Sequence, residues 1–376
     1  MKVLNLHLKS IGPFIEMNLD STPGASDGLH RKLNVFAGAN GNGKSVILKS
    51  IDTCIRGLPQ PEAINSFVPY FRDSNSTVHI VVDTPSASSP QGMILQKAEP
   101  GAAWKVRHQN LQAAIFNSIV SEFFPKNVDG ALVYISSDRG GVSPTSNESE
   151  QPNPSTWRNI ATAQRFASLR GLMELLKNAD EDRVVQLQAV LDQFFDVPAL
   201  GGKLVRIVRP RRNSNGKGLI TNVESFGRPH ELGCFASGSL DILFIVAETF
   251  LLKNSLILFD EPEVHLHPLV QDLLVKYLIY LTTPSGGDNQ VIIATHSLSM
   301  IYGCRVGRVI NLRLEDDVIR PEVIINDGEP QRDFEGALDS LGYSRSAIDA
   351  ARGLFRDFKK SNPNVDLTKG GWGLGE

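Results

Sequence analysis

The chain has 376 residues, with 38 Lys and Arg against 41 Asp and Glu and a formal net charge of −3. That length suits one large composite domain or two, and the near-balanced charge argues against a generally basic nucleic-acid coat. Three scattered cysteines, Cys54, Cys234 and Cys304, offer no disulfide framework or zinc knuckle and point to a reducing compartment.

In chain order, the first segment reads as a β-hairpin and not as a signal peptide. Val3, Leu4, Leu6 and Leu8 lead up, Gly12-Pro13 turns, and Phe14 to Leu19 returns. The apolar run Leu33 to Ala37 then feeds Gly38-Ala39-Asn40-Gly41-Asn42-Gly43-Lys44-Ser45, which meets G-x-x-x-x-G-K-[ST] at every fixed position. A helix is expected from Val46 to about Gly57. Strand, glycine loop, lysine, hydroxyl and helix together distinguish a phosphate-binding loop from a glycine-rich turn. Backbone N–H groups from Gly38 to Val46 would cradle phosphate oxygens at the positive end of the helix. Lys44 would reach the β- and γ-phosphates, and Ser45 would ligate Mg²⁺. Asn40 and Asn42 are read as shaping the loop.

Thr77 to Asp83 and Gly92 to Lys97 read as strands, Gln109 to Phe124 as a helix stopped by Pro125, and Ala131 to Ser136 as a short strand. Gly140 to Ser155, rich in Ser, Pro, Asn and Gly, reads as a mobile loop. Helical patterns follow from Trp157 to Asn178 and from Asp180 to Phe195. Leu204 to Val208 and Leu219 to Ser225 look like paired strands. Leu240 to Leu252 reads as a buried helix. It is too short for a bilayer and carries Asp241 and Glu248, so a cytoplasmic protein without a membrane partner is expected.

Ser255 to Phe259 is an apolar strand running into Asp260 and Glu261. Beside a phosphate loop this reads as a Walker B element, with Asp260 holding Mg²⁺ and Glu261 acting as general base. Pro268 to Leu281 is expected to be helical and Gln290 to Thr295 a strand. His296 follows that strand, where it could sense the γ-phosphate or orient Glu261; a lone His after a buried strand is otherwise structural. Closing strands are expected at Val309 to Leu314 and Pro321 to Ile325, and two short helices within Phe334 to Lys360. Strands alternating with helices around a phosphate loop imply an α/β fold with a mainly parallel sheet.

The loop Gly38 to Ser45, the run Asp260-Glu261-Pro262-Glu263-Val264-His265-Leu266-His267-Pro268, and Thr295-His296-Ser297 together resemble the ABC-type ATPases of the SMC/RecF/OLD group. Glu261 to Pro268 resembles, more narrowly, the ATPases of OLD-like, Septu-like or PARIS-like phage-defence systems. The opening Val3 to Asn18 hairpin and Tyr134 to Arg139 fit as well. The likeness covers about residues 1–140 and 230–325.

It implies a P-loop NTPase of ABC type, with N-terminal β-hairpins and a helical insert, using ATP and Mg²⁺ in a head-to-tail dimer or a larger assembly. It also implies a signature element. Phe235-Ala236-Ser237-Gly238-Ser239 is the candidate, with Ser237, Gly238 and Ser239 meeting the nucleotide of a second copy. Phe235 and Ala236 depart from the family's Leu-Ser, and Ser239 as an ordinary helix cap is the alternative. His265 and His267 fall at the family's interface loop, in preference to a metal site. Arg139 is either a charge sensor or a surface arginine.

The expected division is 1–140 and 231–325 for two ATPase lobes, 141–230 for a helical insert with a basic hairpin, and 326–376 for C-terminal helices and tail. Lys203, Arg206, Arg209, Arg211, Arg212 and Lys217 would contact DNA or RNA phosphates, or form a solvated hairpin face. OLD nucleases carry a TOPRIM domain after the ATPase, and the chain beyond His296 lacks its acidic motifs. The implied role is a slow regulatory ATPase of a bacterial defence complex, controlling a separate effector such as a nuclease through nucleotide-dependent dimerisation. A RecF-like DNA-repair ATPase is the alternative.

Overall fold

A computed structural model describes residues 1–19, 29, 32–58, 62–83, 89–99, 101–109, 132–137, 181–195, short strands between 206 and 231, 237–250, 252–326, 329–330, 338 and 343–350. Within these, the central element is a seven-stranded sheet. Its strands are β3 (Leu33–Ala37), β7 (Leu132–Ile135), β13 (Leu256–Asp260), β14 (Gln290–Thr295), β15 (Arg308–Glu315), β16 (Val318–Asn326) and β17 (Glu329–Pro330), in the spatial order β17-β16-β15-β3-β14-β13-β7. The five strands from β15 to β7 pair in parallel, and β16 and β17 close one edge antiparallel.

The apolar runs of β13 and β14 reflect burial on both faces. Ile257, Phe259, Val291 and Ile293 enter one core, while Leu256, Leu258, Ile292 and Ala294 enter the other. A strand has period two, so alternate residues must serve opposite faces.

One face carries α1 (Lys44–Arg56), which packs between this sheet and a second, antiparallel one. The second sheet has five strands, β1 (Lys2–Ile11), β2 (Phe14–Leu19), β4 (Thr77–Asp83), β5 (Gln91–Lys97) and β6 (Trp104–Gln109), ordered β2-β1-β4-β5-β6. A short helix α2 (Glu62–Asn65) follows α1. The other face is covered by α3 (Glu181–Phe195), α4 (Ser237–Thr249), α5 (Pro268–Leu281) and α6 (Leu298–Gly303).

Small strands lie between α3 and α4. They are β8 (Arg206–Ile207), β9 (Arg211–Arg212), β10 (Leu219–Ile220), β11 (Asn222–Ser225) and β12 (Arg228–Glu231). β11 pairs with β8 and β12, and β10 with β9.

Most expected elements are present at or near their expected ends, including the hairpin of β1 and β2, α5 and β14. Two differ. Gln109 ends strand β6 and does not open a helix. Trp104 and Val106 alternate with Lys105 and Arg107, and the two apolar side chains lie on the core of the antiparallel sheet. The buried helix begins at Ser237, not at Leu240, so Ser239 lies inside its first turn and does not cap it. The expected helices at Gln109 to Phe124 and Trp157 to Asn178 fall largely or wholly outside the described residues, as do the loop at Gly140 to Ser155, Arg139, Arg209 and the tail beyond residue 350.

Candidate functional site

The site lies at the carboxyl ends of three adjacent parallel strands. β3 ends in the glycine loop, β13 ends at Asp260, and β14, lying between them, leads into His296. In parallel sheets this edge is where loops and helix N-termini converge.

The loop conformation needs its glycines. Gly43 caps α1 with φ of +82°, and a Cβ there would lie 2.5 Å from Pro13 Cγ and 2.7 Å from Phe14 Cε2. The turn between β1 and β2 therefore packs directly on the loop. Gly41, at φ of +90°, faces open space. Ala39, Asn40 and Gly41 are exposed, and Gly38 is buried. Asn42 Nδ2 donates to the Leu312 carbonyl at 2.7 Å, tying the loop to β15. Val46 packs its side chain against Gly12.

Lys44 curls over the loop and donates to the carbonyls of Gly38 at 2.8 Å and Ala39 at 3.0 Å. Burial lowers the pKa of its amine, opposed by the charges of Glu261, Asp260 and Glu263. Ser45 Oγ donates to Asp260 Oδ1 at 2.8 Å, joining residues 215 positions apart. Tyr134, on β7, donates its hydroxyl to Asp260 Oδ2 at 3.1 Å. Burial raises the Asp260 pKa, while the Ser45 and Tyr134 hydrogen bonds pull it down. A serine hydroxyl beside a carboxylate is a hard oxygen donor set. It suits Mg²⁺, which takes one or two protein oxygens and completes its shell with water and phosphate.

Glu261 sits one residue beyond the strand with φ of +48°, a conformation that costs a non-glycine residue energy. Its backbone N–H donates to the Ala294 carbonyl at 2.8 Å. The turn aims its carboxylate at His296, with Oε1 2.9 Å from Nδ1. A carboxylate oriented by an imidazole beside a phosphate loop can take a proton from a water.

Gly238 and Ser239 lie in the first turn of α4, beside the loop after β13. A Cβ on Gly238 would lie 2.8 Å from the His265 carbonyl, so close approach within the chain is reason enough for glycine there. Asp241 Oδ2 lies 3.4 Å from His265 Nδ1, a long contact. His265 and His267 are exposed, and the described residues contain no cluster of three or more His, Cys, Asp or Glu that could hold a metal. Ser237 begins the helix. Arg206, Arg211 and Arg212 lie on the short strands β8 and β9.

The structure thus brings Lys44, Ser45, Asp260, Glu261 and His296 to one place. Three neighbours carried no role in the sequence reading: Tyr134, Glu263 and Tyr343. Glu263, three residues past Asp260, carried a weak signal as a second acid in the same run. Tyr134 and Tyr343 become neighbours only through strand pairing and chain return.

This arrangement defines a class, the P-loop NTPase fold of ABC type in the architecture of an SMC head. The chain is similar to an SMC head crystallised with the C-winged helix domain of ScpA (TM-score 0.55, 14% identity, 86% of this chain and 98% of that one). It is also similar to an SMC head with an extended coiled coil, bound to the C-terminal domain of ScpA from Pyrococcus furiosus (TM-score 0.53, 13% identity, 91% and 98%). A family described as "AAA domain, putative AbiEii toxin, Type IV TA system" matches residues 122–301, which include Asp260, Glu261 and His296 but begin after the glycine loop. No curated protein matches the chain. Among the described residues no helix is long and apolar enough to cross a membrane.

Proposed function

We propose that the chain binds ATP with Mg²⁺ and hydrolyses it slowly, as a nucleotide-dependent switch between subunits. The contact of Ser45 with Asp260 carries this reading, because it joins a phosphate loop to the acid that would share its metal. Backbone N–H groups of Gly38, Ala39, Asn40, Gly41, Asn42, Gly43, Lys44, Ser45 and Val46 would face the phosphates, and the Lys44 amine would leave its carbonyl partners for them. Ser45 and Asp260 would hold Mg²⁺, which would supply neutralisation of phosphate charge. Glu261 accepts a proton from water as the water oxygen attacks the γ-phosphorus and ADP departs. His296 keeps the Glu261 carboxylate aimed. Ser237, Gly238 and Ser239 would meet the nucleotide of a second copy, docked head to tail.

Residues 1–140 and 231–325 act in this reading as the two lobes of the ATPase, with 141–230 inserted and 326–376 appended. We assign the protein to the cytoplasm, as the regulatory subunit of a bacterial defence complex that restrains a separate effector. The matching family's description, "putative AbiEii toxin, Type IV TA system", supports the defence setting of that assignment. So does the partner-bound state of the similar SMC heads, since a head of this shape can dock another protein.

The test is a pair of variants. Lys44→Ala should weaken ATP binding at least tenfold, about 1.4 kcal/mol. Glu261→Gln should bind ATP normally, stop turnover and accumulate as a dimer in sedimentation. Full affinity in the first or unchanged turnover in the second would sink the mechanism. Purifying the native complex tests the defence role: a stably bound toxic chain is expected. Salt-sensitive DNA binding by the chain alone, lost when Arg211 and Arg212 become Glu, would favour a repair ATPase instead.

A further inference from the structure

The segment Thr295-His296-Ser297 is gripped from three separate parts of the chain. Glu263, in the turn after β13, accepts a hydrogen bond from Thr295 Oγ1 through Oε1. The same Thr295 oxygen accepts from the Ser297 N–H at 2.9 Å. Ser297 Oγ donates to Gln271 Oε1 of α5 at 3.0 Å. Tyr343, far along the chain, donates its hydroxyl to the His296 carbonyl. Leu338 and Ile348, flanking it, are fully buried in the core beneath the sheet.

Glu263 itself is 5% exposed, and its second oxygen, Oε2, is buried with no hydrogen-bond partner among the described residues. An acid is costly to bury this way, and leucine would fill the volume more cheaply. What the acid does here is hold Thr295.

We propose that Glu263 and Tyr343 are positioning residues for His296. Glu263 locks the backbone on one side of His296 through Thr295, and Tyr343 locks the carbonyl of His296 itself. Together they set the imidazole at the distance that aims Glu261. The grip also joins the site to two other parts of the chain. Glu263 belongs to the loop carrying His265 and His267, and Tyr343 belongs to the C-terminal segment. Burial raises the Glu263 pKa, and the hydrogen bond from Thr295 opposes that shift.

This inference rests on the assignment of Glu261 and His296 to hydrolysis, and the experiment separates the two. Glu263→Ala, Glu263→Gln, Thr295→Val and Tyr343→Phe are made in the full chain. Single-turnover ATP cleavage, binding of a fluorescent ATP analogue and melting temperature are measured for each. Tyr343→Phe and Glu263→Ala should slow cleavage about tenfold, the upper range for one lost hydrogen bond, with analogue affinity unchanged. Glu263→Gln should recover most of the rate, because an amide oxygen can still accept from Thr295. Glu263→Ala combined with Thr295→Val should be no slower than either alone.

Normal cleavage in Tyr343→Phe, equal rates for the Gln and Ala variants, or additive losses in the double variant would overturn the proposal. If Glu263→Ala does not fold, Tyr343→Phe and Thr295→Val decide alone, since each loses only a polar group. Absence of cleavage in the unaltered protein, or unaffected cleavage in Lys44→Ala, would instead overturn the ATPase reading itself.

Discussion

Asp260 illustrates how much of this site depends on single contacts. Its two carboxylate oxygens are taken by different partners, Ser45 on one and Tyr134 on the other. Tyr134 is half-buried, and burial pushes its phenol pKa far upward, so it remains a neutral donor at any working pH. A fixed donor on Oδ2 sets the carboxylate plane and leaves Oδ1 turned toward Ser45. Tyr134→Phe removes one hydroxyl and no packing volume. If Asp260 holds Mg²⁺ as proposed, the change should raise the Mg²⁺ concentration for half-maximal turnover about tenfold, as loss of an outer partner of a metal ligand commonly does. A Mg²⁺ titration that overlays the parent's would reduce Tyr134 to a packing residue. The glycines obey a different logic at the same scale. Gly43 is required by Pro13 and Phe14 from another sheet, and Gly238 by the carbonyl of His265.

Among the elements, α5 carries a tension that pH should expose. Its Asp272 and Lys276 are one turn apart and half-buried. Burial pushes the Asp272 carboxyl up to about 6, opposed by Lys276, and pushes the Lys276 amine down to about 8, opposed by Asp272. Folding therefore favours the neutral form of each. For Asp272, with its folded value raised, that contribution is fully present below about pH 4 and is lost as pH rises through about 6. For Lys276, with its folded value lowered, it is present above the unfolded value and lost as pH falls through about 8. Asp272→Asn keeps the shape without titrating. The parent's urea midpoint should fall relative to this variant between about pH 4 and 6.5. A constant difference across that range would show that burial does not govern Asp272.

Elements also differ in how visibly they announced themselves. The strands β13 and β14 are apolar at nearly every position, and α5 opens on a proline, so all three could be read locally. β6 was missed, although Trp104 and Val106 alternate with Lys105 and Arg107 on it. The period-two signal covers only a few residues and competes with a helical pattern starting at Gln109.

At the scale of the molecule, two sheets must hold a fixed relation if the turn between β1 and β2 is to support the phosphate loop. Gln290 is one tie. It is fully buried at the start of β14, accepts from the Val3 N–H at 2.6 Å, and donates to the carbonyls of Val3 at 2.9 Å and Leu29 at 2.6 Å. Gln290→Leu would leave those backbone groups unpaired in a dry interior. It should cost about 2–4 kcal/mol, as buried groups that lose their partner do. Because α1 is packed between the sheets, the loss should appear as a lower denaturation midpoint with one transition and an unchanged slope. Two separated transitions would mean that the sheets unfold independently.

What the sequence determined by itself was every group whose chemistry is local. The glycine loop, the acidic strand end and His296 each stand within a few residues of the strand that presents them, so spacing and residue type were enough to single them out as candidates. Tertiary structure alone decided which of these meet. Strand order places β14 between β3 and β13, and no local pattern specifies that order, because pairing between distant strands depends on the packing of the whole sheet. The same holds for Tyr134 on Asp260, Glu263 on Thr295 and Tyr343 on His296. Each is a contact between side chains from separate elements, set by how the two cores close around the sheet.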